Sequence, residues 1–255
     1  MYEFAEWSLV AHAADGAMAG WASIRSWTED DGVRVYLTRG EVRAEDRRRG
    51  LGGRLLDETE AAVRALTATQ PATGPVMLGG NATEGDHGRE ALLLSRGYRR
   101  ALTMVVMRRE PGPVPDKPLP EGFQARTVTA DDAEALRRLS ERAWAGRPFT
   151  RLPSADQLRD WLRRSDLTGF EVATTGDRIA GFAAVVGDEI DDLQVDPDFQ
   201  RRGIASALLG RALTRIGGPA RLRTEGHDPA GARSLYERFG FRVTESHHRY
   251  RKPLR

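Results

Sequence analysis

The sequence predicts an α/β protein built from two copies of one unit in tandem, and three features carry that prediction. Strand-like and helix-like segments alternate along the 255 residues. Val42 to Gly50 has the same eight-residue spacing as Val195 to Gly203, each lying where a strand passes into a helix, and Gly97-Tyr98 answers Gly240-Phe241. Between the copies, Glu110 to Gly122 holds five prolines in thirteen residues. Proline lacks an N–H and fixes φ, so such a stretch joins neither a sheet nor a helix interior and reads as an extended linker. The predicted division is therefore a first domain over 1–110, a linker over 111–121 and a second domain over 122–255.

In the first domain, Phe4 to Ala13 and Ala17 to Trp27 read as strands joined by the Asp15-Gly16 hairpin signal. A third strand covers Val33 to Val42. The turn Arg47-Arg48-Arg49-Gly50-Leu51-Gly52-Gly53 leads to a helix through Leu55, Leu56, Thr59, Val63 and Leu66. A buried strand over Val76 to Gly79, a helix over Arg89 to Ser95 and a strand over Tyr98 to Arg109 close the unit.

The second domain is fuller. Phe123 to Val128 reads as a strand, Thr129 with Asp132 as a capping box for a helix to Trp144, and Ser154 as the cap of a helix to Arg164. Phe170 to Thr174 and Arg178 to Val186 form a hairpin about Thr175-Gly176-Asp177, and Glu189 to Val195 follows. Ile204, Ala205, Leu208, Leu209 and Ala212 mark one face of the next helix. Arg221 to Glu225, a helix from Pro229 to Phe239 and a strand from Phe241 to Arg251 complete the order.

The turn Gln200-Arg201-Arg202-Gly203-Ile204-Ala205 joins basic side chains to a glycine at a helix start, with Ser206 following. Unpaired N–H groups and the positive end of the helix dipole suit a phosphate or diphosphate guest there. This pattern, behind a strand ending Val-Asp-Pro, resembles the cofactor motif of the GCN5-related N-acetyltransferases (GNATs). Ser234-Leu235-Tyr236-Glu237-Arg238-Phe239-Gly240-Phe241, preceded by Ala230, is similar to their second signature. The resemblance implies two tandem GNAT domains, like those of double-GNAT proteins of the mycothiol synthase type. The first is truncated: it lacks the opening strand and two helices that help build the acceptor site in the family.

The resemblance further implies acetyl-CoA as acyl donor. Its diphosphate would lie on Gln200 to Ser206 and its pantetheine along Leu193 and Val195, with Val195 N–H as oxyanion donor. The matching turn in the first domain would run from Val42 through Arg47 to Gly53. Acetyl transfer to an amine needs a base, an oxyanion donor and a proton for the departing thiolate. Tyr236 holds the position of the family's general acid, against the plainer reading of a ring packed on the sheet; Leu93 stands there in the first domain and donates no proton. The base is expected at Glu189, with Asp191, two residues along the strand, as competitor, against a solvated acidic strand end formed with Asp188 and Asp192. His227 reads as a turn residue capping the next helix or touching ligand. Trp144, Arg147, Phe149 and Trp161 flank the loop that leans over the acceptor in the family, or pack in the core.

Composition excludes several classes. No cysteine is present, so disulfides, thiolate nucleophiles and cysteine metal sites are absent, and His247-His248 lack a third clustered ligand, so no metal is expected. A net charge of +2 does not call for nucleic acid. No apolar run reaches a membrane span, and Met1 to Gly20 is interrupted by Glu3, Glu6, His12 and Asp15, so no signal peptide is read and a cytoplasmic location is expected. The leading expectation is transfer of acetyl to a primary amine of a small molecule (an amino sugar, antibiotic or amino-acid derivative) by the second domain of a monomer or homodimer. The alternative is a non-catalytic acyl-CoA-binding regulator or scaffold.

Overall fold

A computed structural model describes residues 3–70, 73–227 and 231–254. The chain divides into two compact units: one runs to Thr103 and takes in the stretch from His247, the other is Met104–Ser246.

The first unit opens with β1 (Glu3–His12), β2 (Met18–Thr28) and β3 (Arg34–Val42), successive antiparallel neighbours. α1 (Leu51–Thr69) then crosses to β4 (Val76–Thr83), which pairs parallel with β3. Next come α2 (His87–Ser95) and the first part of β5 (Arg99–Arg109). Ile24, Tyr36 and Leu78 from the strands meet Leu56 and Val63 of α1 and Leu93 of α2 in one core.

The second unit holds β6 (Gln124–Thr127), α3 (Ala133–Ala143), α4 (Ala155–Arg164), β7 (Phe170–Thr175), β8 (Arg178–Val186) and β9 (Glu189–Val195). α5 (Ile204–Ile216), β10 (Ala220–Glu225), α6 (Ala232–Arg238) and the start of β11 (Arg242–Pro253) follow. The Thr129–Asp132 and Ser154–Gln157 capping boxes form as their spacing requires. Pro229 and Ala230, within the last predicted helix and its signature, lie outside the described residues. One face of this sheet packs on α3 and α4 through Phe170, Val172, Phe182 and Ala184. The other packs on α5 and α6 through Ala183, Val185, Ile190 and Leu222.

The compact units do not divide at 111–121. β5 and β11 each pass from one unit to the other: Met104 to Arg109 pair antiparallel with β10, and His247 to Pro253 pair antiparallel with β4. The first unit is thus closed by a strand-half that follows the second, and the second by the half of β5 that precedes the proline-rich stretch. The paired part of β11 is anchored by polar groups, Arg251 to Glu29 at 3.4 Å, Lys252 to Glu60 at 2.8 Å and the Tyr250 hydroxyl donating to Glu90 at 2.7 Å. The proline-rich stretch is extended, as proline dictates, but it is strapped to the second unit. Val114 and Leu119 pack on its clusters, and Arg109 donates to the carbonyls of Gly112 and Pro113 at 2.8 and 2.9 Å.

Candidate active site

At the end of β9 the chain makes a compact turn. The Asp196 carboxylate accepts from the Asp198 N–H at 3.0 Å and starts a single 3-10 turn over Pro197–Phe199. Gln200 is extended, Arg201 has φ 62° and Gly203 φ 95°, after which α5 begins. A left-handed conformation costs a side-chain-bearing residue about 1–2 kcal/mol; glycine removes that cost at Gly203, while Arg201 bears it. No side chain caps α5, so the amides of its first turn, Ile204, Ala205 and Ser206, lack intrahelical partners at the positive end of the helix. Gln200 is a brace within the turn, its amide donating to the Val195 carbonyl at 3.3 Å. The Arg202 guanidinium lies 5.5 Å over the Phe199 ring.

The first unit repeats this backbone. Arg47 is extended, Arg48 has φ 64° and Gly50 φ 84°, and α1 starts without a side-chain cap. Arg47 donates to the Val42 carbonyl at 3.0 Å, the contact Gln200 makes to Val195. Arg49 instead reaches Asp46 at 3.6 Å, and a Cβ on Gly53 would stand 2.9 Å from the Arg96 guanidinium. A further correspondence was not extracted from the sequence. Gly181 on β8 pairs with Val195, and Gly20 on β2 pairs with Val42. A Cβ on Gly181 would lie 2.9 Å from Ile204 and 3.0 Å from Leu208, and one on Gly20 2.9 Å from the Glu41 carbonyl and 3.2 Å from Leu55. Each glycine lets the helix behind the turn settle onto its strand, and an isolated glycine inside a strand pattern is the sequence signal for such an approach.

Next to the turn the sheet opens. β9 and β10 pair in parallel at Glu189 with Arg221 and Ile190 with Leu222, and no further, although both strands continue. β3 and β4 likewise part after Leu37 and Gly79. The cleft beyond Ile190 exposes strand edges to an extended guest. Leu193, packed against both α5-side clusters, and Val195 lie along it.

The carboxylates on β9 are disposed differently from the simple alternation that pairs Glu189 with Asp191. Ala184 pairs with Asp192 but Val185 pairs with Ile190, so Asp191 is the extra residue of a β-bulge. Residues opposite one another share a face. Asp192 opposite Ala184, Gln194 opposite Phe182 and Glu189 opposite Val186 therefore share the α3/α4 face, while Asp191 is unpaired and exposed. Glu189 is buried and held by two guanidiniums, Arg223 at 2.8 Å and Arg221 at 3.1 Å. Among the described residues Asp192 meets no such cation: it accepts from the Gln194 amide at 2.6 Å, and Gln194 accepts from the Ser140 hydroxyl of α3 at 3.0 Å. Burial pushes the Asp192 carboxyl up to about 7; the Gln194 hydrogen bond opposes this and the charge of Asp191 assists it.

Tyr236 is buried on α6 in the cluster that also holds Ile190, Leu222 and Leu209, its ring edge-on to Phe241 at 6.0 Å. Leu93 occupies the corresponding helix of the first unit, packed directly on Gly80 of β4. His227 is exposed at the end of β10. Trp161 stacks on Phe170 at 4.9 Å, a packing role, and Arg147 covers the Trp144 ring at 5.1 Å. Phe149 lies in the loop between α3 and α4 at φ 63°. His247 and His248 bond to Thr83 and Thr103. Among the described residues, no cluster of His, Asp and Glu is placed to hold a metal ion, and no helix is long and apolar enough to cross a membrane.

Comparison with known proteins meets this geometry. Residues 166–243 match the family model described as an acetyltransferase (GNAT) domain. A mycothiol acetyltransferase of Geodermatophilus obscurus is 34% identical over 91% of this chain and 78% of its own. A GCN5-related N-acetyltransferase from Sphaerobacter thermophilus superposes with a TM-score of 0.77 over 97% of this chain and 81% of its own, at 24% identity. A tandem GNAT protein from the clavulanic acid biosynthesis pathway gives 0.64 over 97% and 82%, at 16% identity. With the phosphate-type turn and the parting strands present twice, and a relative at this identity over nine-tenths of the chain, the chain belongs to the GCN5-related N-acetyltransferase family as a tandem GNAT acetyltransferase.

Proposed function

We propose that the second unit transfers acetyl from acetyl-CoA to a primary amine of a small molecule. The observation that carries this reading is the uncapped start of α5 behind Arg201 and Gly203, set beside the cleft that opens between β9 and β10. The donor set fits a CoA ester. Amides of Ile204, Ala205 and Ser206 with Arg201 and Arg202 would hold the diphosphate, and the freed edge of β9 near Leu193 and Val195 would pair with the pantetheine amides. From Val195 back to Glu189 is about 20 Å at ~3.3 Å per residue, a span that an extended pantetheine arm largely covers. The thioester then lies toward the bulge, and an amide near Leu193, rather than that of Val195 at the diphosphate end, is the better placed oxyanion donor.

When bound, acetyl-CoA supplies an activated carbonyl whose sulfur leaves as a thiolate. Tyr236, on the α5/α6 face, supplies the proton that thiolate needs. A carboxylate on the α3/α4 face of β9 receives the proton of the attacking amine. The first unit keeps the turn but has Leu93 in place of that tyrosine, which supports turnover in the second.

The test is thiol release from acetyl-CoA against a panel of amines that includes amino sugars, aminoglycosides, amino-acid amides and a mycothiol-type amine suggested by the name of the Geodermatophilus relative. Amine-dependent release that Tyr236→Phe lowers at unchanged KM for acetyl-CoA supports the reading. Acetyl-CoA binding without turnover on any amine overturns it.

A further inference from the structure

Resting on that reading, we propose that Asp192, not Glu189, takes the proton from the acceptor amine, and that Arg221 and Arg223 make Glu189 a structural anchor. Four observations converge. The bulge at Asp191 moves Asp192 onto the face that Glu189 shares, beside α3. Asp192 lies just beyond the last paired residues of β9 and β10, where the cleft begins, whereas Glu189 lies within the paired segment. Glu189 spends its lone pairs on two guanidiniums from β10, and a carboxylate clamped in that way is not turned toward an incoming amine. Asp192 is oriented by the Gln194 amide, itself fixed by the Ser140 hydroxyl, and by the Leu193 backbone N–H.

The charged groups on elements packed against β9 are otherwise committed. Arg142 of α3 and Arg178 of β8 are bound to Asp196 and Asp198, and Arg221 and Arg223 of β10 to Glu189. The charge that does act on Asp192 is the like charge of Asp191, which, with burial, places the group at about 7, within the range where a base serves best near neutral pH.

The neutral amine's lone pair forms the N–C bond and its N–H proton passes to the Asp192 carboxylate. The C–S bond breaks, the thiolate takes the Tyr236 proton, and solvent carries the proton from Asp192 back to the tyrosinate. Base and acid thus work from opposite faces of the sheet through one gap.

Two measurements test this. Carboxyl carbon NMR of aspartate-labelled full-length protein, which needs no acceptor, follows the Asp192 signal, assigned by its loss in Asp192→Asn. Titration near neutrality supports the proposal, and titration in the ordinary aspartate range overturns it. With an amine found by thiol release, kcat/KM against pH compares Asp192→Asn, Asp192→Glu and Glu189→Gln. Asp192→Asn is expected to lose ~10²–10⁴-fold together with the acidic limb of the profile. Asp192→Glu should recover part of both, and Glu189→Gln should keep the limb. An acidic limb that survives in Asp192→Asn, or disappears in Glu189→Gln, overturns it. Failure of every amine defeats the proposed acceptor class instead, and the NMR titration still decides the state of Asp192.

Discussion

Replacing Gly203 by alanine isolates the backbone of the cofactor turn. Gly203 sits at φ 95°, and nothing lies within 4 Å of where a Cβ would stand, so the substitution meets no steric obstacle. Its cost is that of holding an L-residue in the left-handed region, about 1–2 kcal/mol. Gly50, at φ 84° and equally open, is the matched control in the other unit. If the turn keeps its shape, each variant should lose about 1–2 kcal/mol, read as a fall of roughly 2–8 °C in melting temperature for a chain of this size. If Gly203→Ala relaxes instead, the α5 amides rotate away from the diphosphate and the KM for acetyl-CoA rises, about tenfold for each 1.4 kcal/mol of binding lost. Thermal unfolding by tryptophan fluorescence and steady-state kinetics on the two variants separate these outcomes. Gly203→Ala with unchanged stability and KM, or a raised KM in Gly50→Ala alone, would refute both the turn's role and the assignment of turnover to the second unit.

Tyr236→Phe keeps the buried ring and removes the hydroxyl, so kcat should drop ~10²-fold or more while unfolding by urea shifts little. Leu208, fully buried on the inner face of α5, should cost about 2–5 kcal/mol in urea unfolding when cut to alanine. Asp196 is buried; desolvation raises its pKa, but Arg142, the Asp198 N–H and Arg178 outweigh that and hold it below the ordinary value. A depressed folded pKa stabilises above the unfolded value of about 3.9 and is lost as pH falls below it, so Asp196→Asn should destabilise at pH 7 and lose that effect in acid. Asp192 has the opposite sign: its folded form binds a proton more tightly than its unfolded form, so its contribution to stability falls as pH rises from about 3.9 toward 7. Urea midpoints of Asp192→Asn should accordingly gain on the parent protein across that window, and parallel curves would refute the assignment.

Local chemistry made most of the fold readable. Asp15-Gly16, the two capping boxes and the repeated Arg-Gly turn each specify geometry within a few residues, and all of them formed. What sequence did not yield depends on partners far along the chain. Nothing local announces the bulge at Asp191, because the residues there include no glycine and the slip shows only in the register with Ala184 and Val185. The hold of Arg221 and Arg223 on Glu189 spans more than thirty positions, so an acidic strand looked uniform until its neighbours were in place. Proline content likewise marks where regular structure stops, not where strand partners lie: the compact units change over at Thr103/Met104 and Ser246/His247.

The crossing of β5 and β11 ties the maturation of the first unit to the synthesis of the second. Residues 247–253, which finish its sheet, leave the ribosome after the whole second unit has been made, so the earlier half waits with an open edge beside β4. Cutting the gene at the proline-rich segment would therefore yield two fragments, each short of the strand that its counterpart carries. Co-expression should rescue what separate expression cannot.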